Sequence, residues 1–347
     1  MFRNLAERDR AALTAATTAA ALFGRDDLAA VCITGRHRDR FLHALSTQEV
    51  NGQVAPAVAA NAHCDAQGRL QALFTMVVQT EQIVLWTERQ QAAALVEGLL
   101  RYRVAERVKV NEAPELGLIE VVGPKGLALL QAAGLPVPPQ GGVATWAIGE
   151  QEGVIWAGTT GGNPAARHGP GVPVLSIQVP DEALGDLAGT LMEAGAAVGC
   201  HAAREALRIA EGWPRIGLDV DDGSLPAELG LGAAINFTKG CYLGQEAVAM
   251  LAYRGRLRRH LCWISSAGPT HPAAGWTLRD DKGRKAGRVG SGYVTETGLG
   301  LAVINRRSWA PDADFEAHGP DGEIVQVRSL TTTVADAFAS QGDGGAA

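Results

Sequence analysis

Short apolar runs separated by polar residues predict alternating strands and helices over the first 255 residues. Residues 28–33 form an apolar run of the kind found in buried strands. Residues 36–45 then place Phe41, Leu42 and Leu45 on one face at helical spacing. Both patterns recur, predicting strands at 70–78, 83–86, 108–110, 118–122, 143–148, 154–157 and 174–179, and helices at 91–100, 124–133, 181–194 and 245–251.

The order of these elements predicts an α+β fold built from two α+β units. Hairpin-length polar breaks, such as residues 79–82, favour this class over an all-parallel sheet. We interpret the turn-rich segment 134–142 as the break between the two units. Beyond Arg256, short strands separated by Gly, Pro and Asp predict a small β-barrel or sandwich, at 261–264, 276–278, 286–289, 299–303 and 324–327.

These patterns divide the chain into four predicted segments. Residues 1–24 are interpreted as a surface helix with its lead-in, and residues 25–255 as the region that holds the two α+β units. The barrel is assigned to residues 256–335. The remaining residues, 336–347, are low in complexity and are predicted to be disordered.

Composition and charge predict a soluble protein and give no sign of a nucleic-acid binder. The chain is 46% hydrophobic and 20% charged, with a net charge of −6 and a pI of 5.8. A nucleic-acid binder usually has a basic excess or stripe instead. The N-terminus does not resemble a secretory leader, and no uninterrupted apolar stretch is long enough to span a membrane. We therefore expect a cytoplasmic location.

The five cysteines are scattered and predict free thiols in a reducing compartment. No Cys-x-x-Cys pair occurs, so zinc ribbons and redox pairs lack their usual spacing. No clustered cysteine run is present that would hold an iron–sulfur cluster within one chain. No metal site is predicted.

Residues 239–246, Lys-Gly-Cys-Tyr-Leu-Gly-Gln-Glu, combine several unusual features around one thiol. The glycines on either side of Cys241 allow the backbone to bend and expose the sulfur. A neighbouring ammonium, here Lys239, and the start of a helix at Gln245 favour the thiolate. Glu246 in the first helical turn is favoured by the helix dipole, and Tyr242 offers a flat face for an aromatic ligand. Physics alone supports the alternative, a glycine-rich turn with a packed cysteine, about equally well.

This segment resembles the signature of the YgfZ family, whose members are similar to the glycine-cleavage T-protein, an aminomethyltransferase. Further stretches that resemble the family pattern lie at 31–50, 65–70, 205–214 and 225–231, so that the resemblance covers about residues 22–330. It implies three subdomains, two α+β units and a small C-terminal barrel, around a central channel for a reduced folate such as tetrahydrofolate. It also implies support for iron–sulfur enzymes, some of which modify tRNA, with no direct contact to nucleic acid or membrane.

The same resemblance implies which residues form the site. Cys241 and Lys239 would carry the chemistry, and the folate would contact Tyr242, Gln245 and Glu246. Two further folate contacts are expected from outside the signature, namely Arg208 and Glu211. Arg254 is a third candidate on other grounds, because it begins a basic run just after the signature and arginine binds carboxylates, such as that of the folate glutamyl group, bidentately.

Two departures from the family pattern change the expectation for individual residues. The acid of the family's Leu-Arg-Ile-Glu stretch is shifted here by one place, to Glu211, which weakens its case as a pterin ligand. The family's Thr-Asn-Asp block reads Thr47-Gln48-Glu49 in this chain.

A folate-dependent aminomethyltransferase is the alternative function. Its carboxylate lies in a Gly-Gly-Ile-x-Asp-Asp turn, and the corresponding residues 68–73 read Gly-Arg-Leu-Gln-Ala-Leu. Neither Gln71 nor Ala72 can carry the charge that manages protons in such a transfer. The sequence therefore favours an assembly or repair factor, with a folate-binding scaffold as a third, non-enzymatic possibility.

Overall fold

Three β-sheets form the framework of the protein, and short helices cover two of them. The computed structural model describes residues 3–139, 142–148, 151–159, 172–254, 257–295 and 297–333. In chain order the strands are β1 (Arg3–Asn4), β2 (Ala21–Gly24), β3 (Leu28–Thr34), β4 (Ala57–Cys64), β5 (Leu70–Val78), β6 (Gln82–Glu88), β7 (Lys109–Glu112), β8 (Leu116–Val122), β9 (Val143–Ile148), β10 (Gln151–Thr159), β11 (Pro173–Pro180), β12 (Ala197–Val198), β13 (Arg259–Ser266), β14 (Thr277–Arg279), β15 (Lys285–Val294), β16 (Gly298–Asn305), β17 (Asp314–His318) and β18 (Ile324–Thr333). The helices are α1 (Glu7–Thr18), α2 (Arg38–Leu45), α3 (Ala92–Leu100), α4 (Gly126–Ala132), α5 (Leu184–Glu193), α6 (His201–Ala210) and α7 (Gln245–Arg254).

The first sheet is antiparallel, with the strand order β4-β5-β6-β3-β7. Helices α2 and α3 pack on one face and bury the apolar positions that the helical spacing predicts, including Phe41, Leu42 and Leu45. The sequence pattern did not reveal β4, because half of its residues are alanine, which has low strand propensity. Pairing with β5 along its full length holds β4 in the sheet.

The second sheet has the order β12-β2-β8-β11-β10-β9 and begins earlier in the chain than the sequence indicates. Strand β8 and helix α4 already belong to it, so residues 134–142 lie inside the second unit rather than between the two. A loop within a unit and a loop between two units can have the same turn-rich composition, so composition alone did not show that residues 134–142 lie within the second unit. Residues 21–24 also differ from the predicted N-terminal helix, since they form strand β2 of this sheet.

The third sheet closes into the predicted C-terminal barrel. Six strands follow one another in the order β15-β14-β17-β18-β13-β16, and β16 pairs again with β15. The short strand β1 adds to β15 in parallel, which ties the N-terminal residues to the barrel. The predicted disordered tail, 336–347, lies outside the described residues.

Two buried clusters join the three sheets. One cluster includes Trp86 of the first sheet and Trp156 of the second, and lies between these two sheets. The other joins the first sheet, helix α6 and the barrel around Trp263, which is fully buried. The indole N–H of Trp263 donates to the carbonyl of Ile209 at 2.8 Å. Truncating a buried tryptophan of this kind typically costs about 3–5 kcal/mol of stability, so these contacts hold the sheets in place.

Among the helices in the described ranges, none is both long enough and apolar enough to cross a membrane.

Candidate functional site

Lys239 anchors the thiol loop, residues 239–246, to the end of helix α2. Its ammonium donates to the backbone carbonyls of His43, Ser46 and Gln48, each at 2.7 Å. These carbonyls lie at and beyond the helix C-terminus, where a positive charge is favoured. An ammonium has three N–H donors, and all three are used here.

Lys239 therefore positions the loop, and no N–H is left for it to donate to the Cys241 sulfur. The ammonium also lies 5.0 Å from the ring centre of Tyr242. Burial lowers the pKa of Lys239 to about 8, while the nearby Glu49 carboxylate opposes this effect. Cys241 itself is exposed, whereas Cys64 and Cys262 are buried. The loop thus presents its thiol to the outside, on a backbone fixed by Lys239.

Two glycines pack backbone against backbone where the thiol loop meets the turn before β5. Gly244 has a φ of +80°, and a Cβ atom there would lie 2.4 Å from the carbonyl oxygen of Asp65. Gly68 has a φ of +75°, and a Cβ atom there would lie 2.9 Å from the Cβ of Ala247. Two of the segments that resembled the family pattern are thus in direct contact, and only glycine fits at either position.

We expect Gly244→Ala to lower the free energy of unfolding by at least about 2 kcal/mol, because backbone strain and a clash with Asp65 add together. Gly134→Ala is the matched control, since Gly134 has a φ of +73° and no atom lies within 4 Å of the position that a Cβ would take. That control should cost only about 1 kcal/mol, from backbone strain alone. Urea denaturation measures both, and equal losses would contradict the close packing at Gly244.

The remaining predicted residues of this region have different environments. Tyr242 is buried, and burial raises the pKa of its hydroxyl, so its ring is not presented at the surface. The side-chain oxygen of Gln245 accepts from the Tyr242 backbone N–H at 3.3 Å, at the start of α7. Glu246 is exposed in the first turn of that helix. Arg254 is the last residue of α7, and its side chain lies outside the described part of the structure.

A cavity of about 100 Å³ lies elsewhere, where the first two sheets meet helix α6. Because side chains alternate along a strand, Trp86 and Glu88 of β6 share one face, as do Leu118 and Glu120 of β8. All four line the cavity. The other residues that line it are Arg25, Asp27, Leu28, Leu73, Phe74, Thr75, Thr87, Trp156, Ser176, His201, Arg204, Glu205, Arg208 and Trp213.

One wall of the cavity is a buried charge network around Glu120. Its carboxylate accepts from Arg25 and from Arg204, both at 2.6 Å. Arg25 also donates to Asp27 at 2.8 Å. Although burial opposes it, the two guanidinium groups hold the pKa of Glu120 below its usual range. Buried charges that are paired and hydrogen-bonded in this way keep a fixed geometry.

Arg208 belongs to the same wall, and its donors are fully used within the protein. It donates to both carboxylate oxygens of Glu205, at 2.8 and 2.7 Å, to Asp219 at 3.0 Å and to the Ser291 hydroxyl at 2.7 Å. Its fifth bond goes to the carbonyl of Trp213. A guanidinium has five N–H donors, so Arg208 joins α6 to the barrel and has none left for a ligand.

Glu88 is a cavity carboxyl that the sequence analysis missed. Burial raises its pKa, although Arg215, at 3.4 Å, opposes the shift. Carboxyl groups with a perturbed pKa in a cavity are frequent at functional sites. Trp86, two residues before Glu88 on the same strand, and Trp156 supply aromatic surface beside it. The sequence feature that could have identified Glu88 is the spacing of a tryptophan and a carboxylate at i and i+2, which places both on one face of a strand.

The structure does not bring all the predicted site residues together. Arg208 lines the cavity, whereas no residue of the thiol loop appears among the described residues around it. Glu211 is buried at the end of α6. Within the stretch that corresponds to the transferase turn, Ala72 packs in the core of the first sheet and Leu73 reaches the cavity. No group of three or more potential metal ligands was found among the described residues.

The framework of three sheets has the fold of the glycine-cleavage T-protein. The aminomethyltransferase T of the glycine cleavage system from Bartonella henselae matches with a TM-score of 0.78, over 96% of this chain and 90% of that one, at 17% identity. The predicted α+β fold with a T-protein-like arrangement is confirmed. No protein-family model matches the chain.

Within that class, curated relatives of the chain include proteins named tRNA-modifying protein YgfZ. The one from Colwellia psychrerythraea is 25% identical over 242 residues, which cover 69% of this chain and 70% of the relative. The one from Yersinia enterocolitica is 26% identical over 290 residues, which cover 80% and 81%. The resemblance to the YgfZ family, first drawn from residues 239–246, is thus confirmed.

Proposed function

We propose that this protein is a folate-binding factor that supports the assembly or repair of iron–sulfur enzymes, including enzymes that modify tRNA. The observation that carries the proposal is a cavity with aromatic and charged walls, together with an exposed thiol on a separately anchored loop. The names of the YgfZ relatives support the link to tRNA modification. In this proposal Cys241 acts on a client protein outside the cavity.

The cavity walls fit the chemistry of a reduced folate. A pterin ring is flat and carries several N–H donors, which suit the faces of Trp86 and Trp156 and the carboxylate of Glu88. The ring would bring to the site the one-carbon chemistry of folates. Ligand sites commonly have volumes of roughly 300–1,000 Å³, so wall side chains outside the fixed Glu120 charge network would have to move to admit the ring.

Aminomethyl transfer is the weaker proposal for this site. The carboxylate of the transferase turn is absent from residues 68–73. Within this stretch, Leu73 is the residue that lines the cavity. A leucine cannot accept or hold a proton. The likeness to the Bartonella transferase is one of fold and does not supply this missing group.

We expect tetrahydrofolate to bind the purified protein, and Glu88→Gln to weaken binding about tenfold or more, because a hydrogen bond to a charged acceptor is lost. Calorimetry measures both. Glu81→Gln is the matched control, since Glu81 is exposed in the turn before β6 and does not line the cavity. The absence of heat with the unmodified protein, or an equal loss in the control, would contradict the cavity as the folate site.

We expect Cys241→Ala to keep the unfolding midpoint and folate affinity but to abolish support of iron–sulfur enzymes in a strain that lacks this protein. The reason is that the side chain is exposed and its removal leaves no buried space. The activity of a tRNA-modifying iron–sulfur enzyme in that strain is the readout. Cys32→Ala, on strand β3, is the control and should restore activity. Full restoration by Cys241→Ala would rule out the thiol.

A further inference from the structure

Three distant chain segments bring five basic side chains together at one end of the barrel. They come from the entry to β13, the turn between β14 and β15, and the exit of β16, which the pairing of β13 and β15 with β16 places side by side. We call this surface the basic patch and define it by Arg258, Arg284, Lys285, Arg306 and Arg307. The patch surrounds an open depression of about 750 Å³.

Most of these charges have no ion-pair partner among the residues that the structure describes. Arg284 forms an ion pair with Asp280 at 2.7 Å. The other four are exposed, and they form no ion pair with any residue in the described part of the chain. The neighbouring Arg259 forms ion pairs with Asp221 and Glu228. Its charge is therefore neutralised, and we do not include it in the basic patch. Like charges held this close repel one another, which an anionic partner would relieve.

The chemistry of the depression favours a nucleic acid over a protein partner. Its remaining lining residues are Leu257, Asn305 and Ser308, so a single apolar side chain is present among those described. The core of a protein–protein interface is apolar and depleted in charge, whereas nucleic-acid interfaces are polar and strongly positive. Arginine, which supplies four of the five charges, binds phosphate groups bidentately.

We propose that the basic patch binds the phosphate backbone of RNA. The proposal goes beyond the proposed function, in which tRNA is reached only through a client enzyme. The net charge of −6 is an average over the chain and does not describe this surface, where five basic side chains are concentrated. Contacts of this kind position a nucleic acid without reading its sequence.

Fluorescence anisotropy with a labelled, tRNA-sized RNA transcript tests the proposal. We expect binding at low salt that weakens steeply as salt rises, because each phosphate contact releases counterions. Arg306→Ala with Arg307→Ala should weaken binding at least about tenfold and reduce the slope of log affinity against log salt by about 1.5. The matched control removes two exposed arginines from other units, Arg8→Ala with Arg101→Ala, and should leave both quantities unchanged.

Competition with poly-glutamate at the same total charge identifies the anion that is bound. RNA binding that resists this competitor and depends on the patch arginines supports the proposal. Absence of RNA binding at low salt, an equal loss in the control pair, or equal displacement by poly-glutamate each overturns it. The unfolding midpoint confirms that both double variants are folded. Folate binding and the Cys241 complementation test are read separately, so failure here leaves the proposed function untouched.

Discussion

Arg208→Met should lower the free energy of unfolding by about 4 kcal/mol. The change removes five hydrogen bonds and leaves Asp219, which is fully buried, without its cationic partner. Removing one member of a buried ion pair typically costs about 3–5 kcal/mol, because the remaining charge cannot be hydrated. Urea denaturation monitored by tryptophan fluorescence measures the loss. Arg101→Met, on an arginine that is 69% exposed, is the control and should change stability by less than about 0.5 kcal/mol.

The pH dependence of stability gives a second test of the same contact. Although burial opposes it, Arg208 lowers the pKa of Glu205 to about 2, from its usual 4.5. A depressed carboxyl pKa stabilises the folded state above pH 4.5, and that contribution is lost as the pH falls from 4.5 towards 2. Arg208→Met should therefore flatten the acid limb of the stability curve. An unchanged acid limb would mean that Arg208 is not the group that holds Glu205 ionised.

Lys239→Met should lower the free energy of unfolding by about 3 kcal/mol. Methionine keeps the length of the side chain but leaves the carbonyls of His43, Ser46 and Gln48 without the donors they now have. Each buried acceptor that loses its partner costs about 1–3 kcal/mol, and release of a buried charge offsets part of the sum. Lys109→Met, on an exposed lysine of β7, is the control.

The same variant separates positioning from chemistry at the thiol loop. If Lys239 only holds the loop, Lys239→Met should also increase protease cleavage within residues 239–246, while Lys109→Met should not. Unfolding and cleavage curves that match those of the control would contradict the anchoring role.

The sequence predicted the elements whose pattern is local and strong. The run at 28–33 and the apolar face of 36–45 are encoded by neighbouring residues, and both appear as β3 and α2. Strand β4 was not predicted, because its alanines have low strand propensity and its position depends on pairing with β5. The break at 134–142 was misplaced because composition marks a loop without saying which sheets lie on either side of it.

The candidate site was predictable only where one short segment encodes it. The positive φ of Gly244 and the exposure of Cys241 agree with the flexible turn that the glycines predict. The direction of Lys239 could not be predicted, because its acceptors lie almost 200 residues earlier in the chain. The cavity could not be predicted for the same reason: its residues are far apart in the chain, and Glu88 and Trp156 come together only when two sheets pack.

The contact between Gly68 and Gly244 joins the thiol loop directly to the segment that leads into the cavity wall. Gly68 lies two residues before β5, and residues 73–75 of that strand line the cavity. No side chain separates the two backbones at this contact, so we expect a shift of β5 to move the loop that carries Cys241 as well. If a ligand opens the cavity in this way, we expect it to change the exposure of the thiol, and by reciprocity a protein bound at the thiol would change the affinity of the cavity for that ligand.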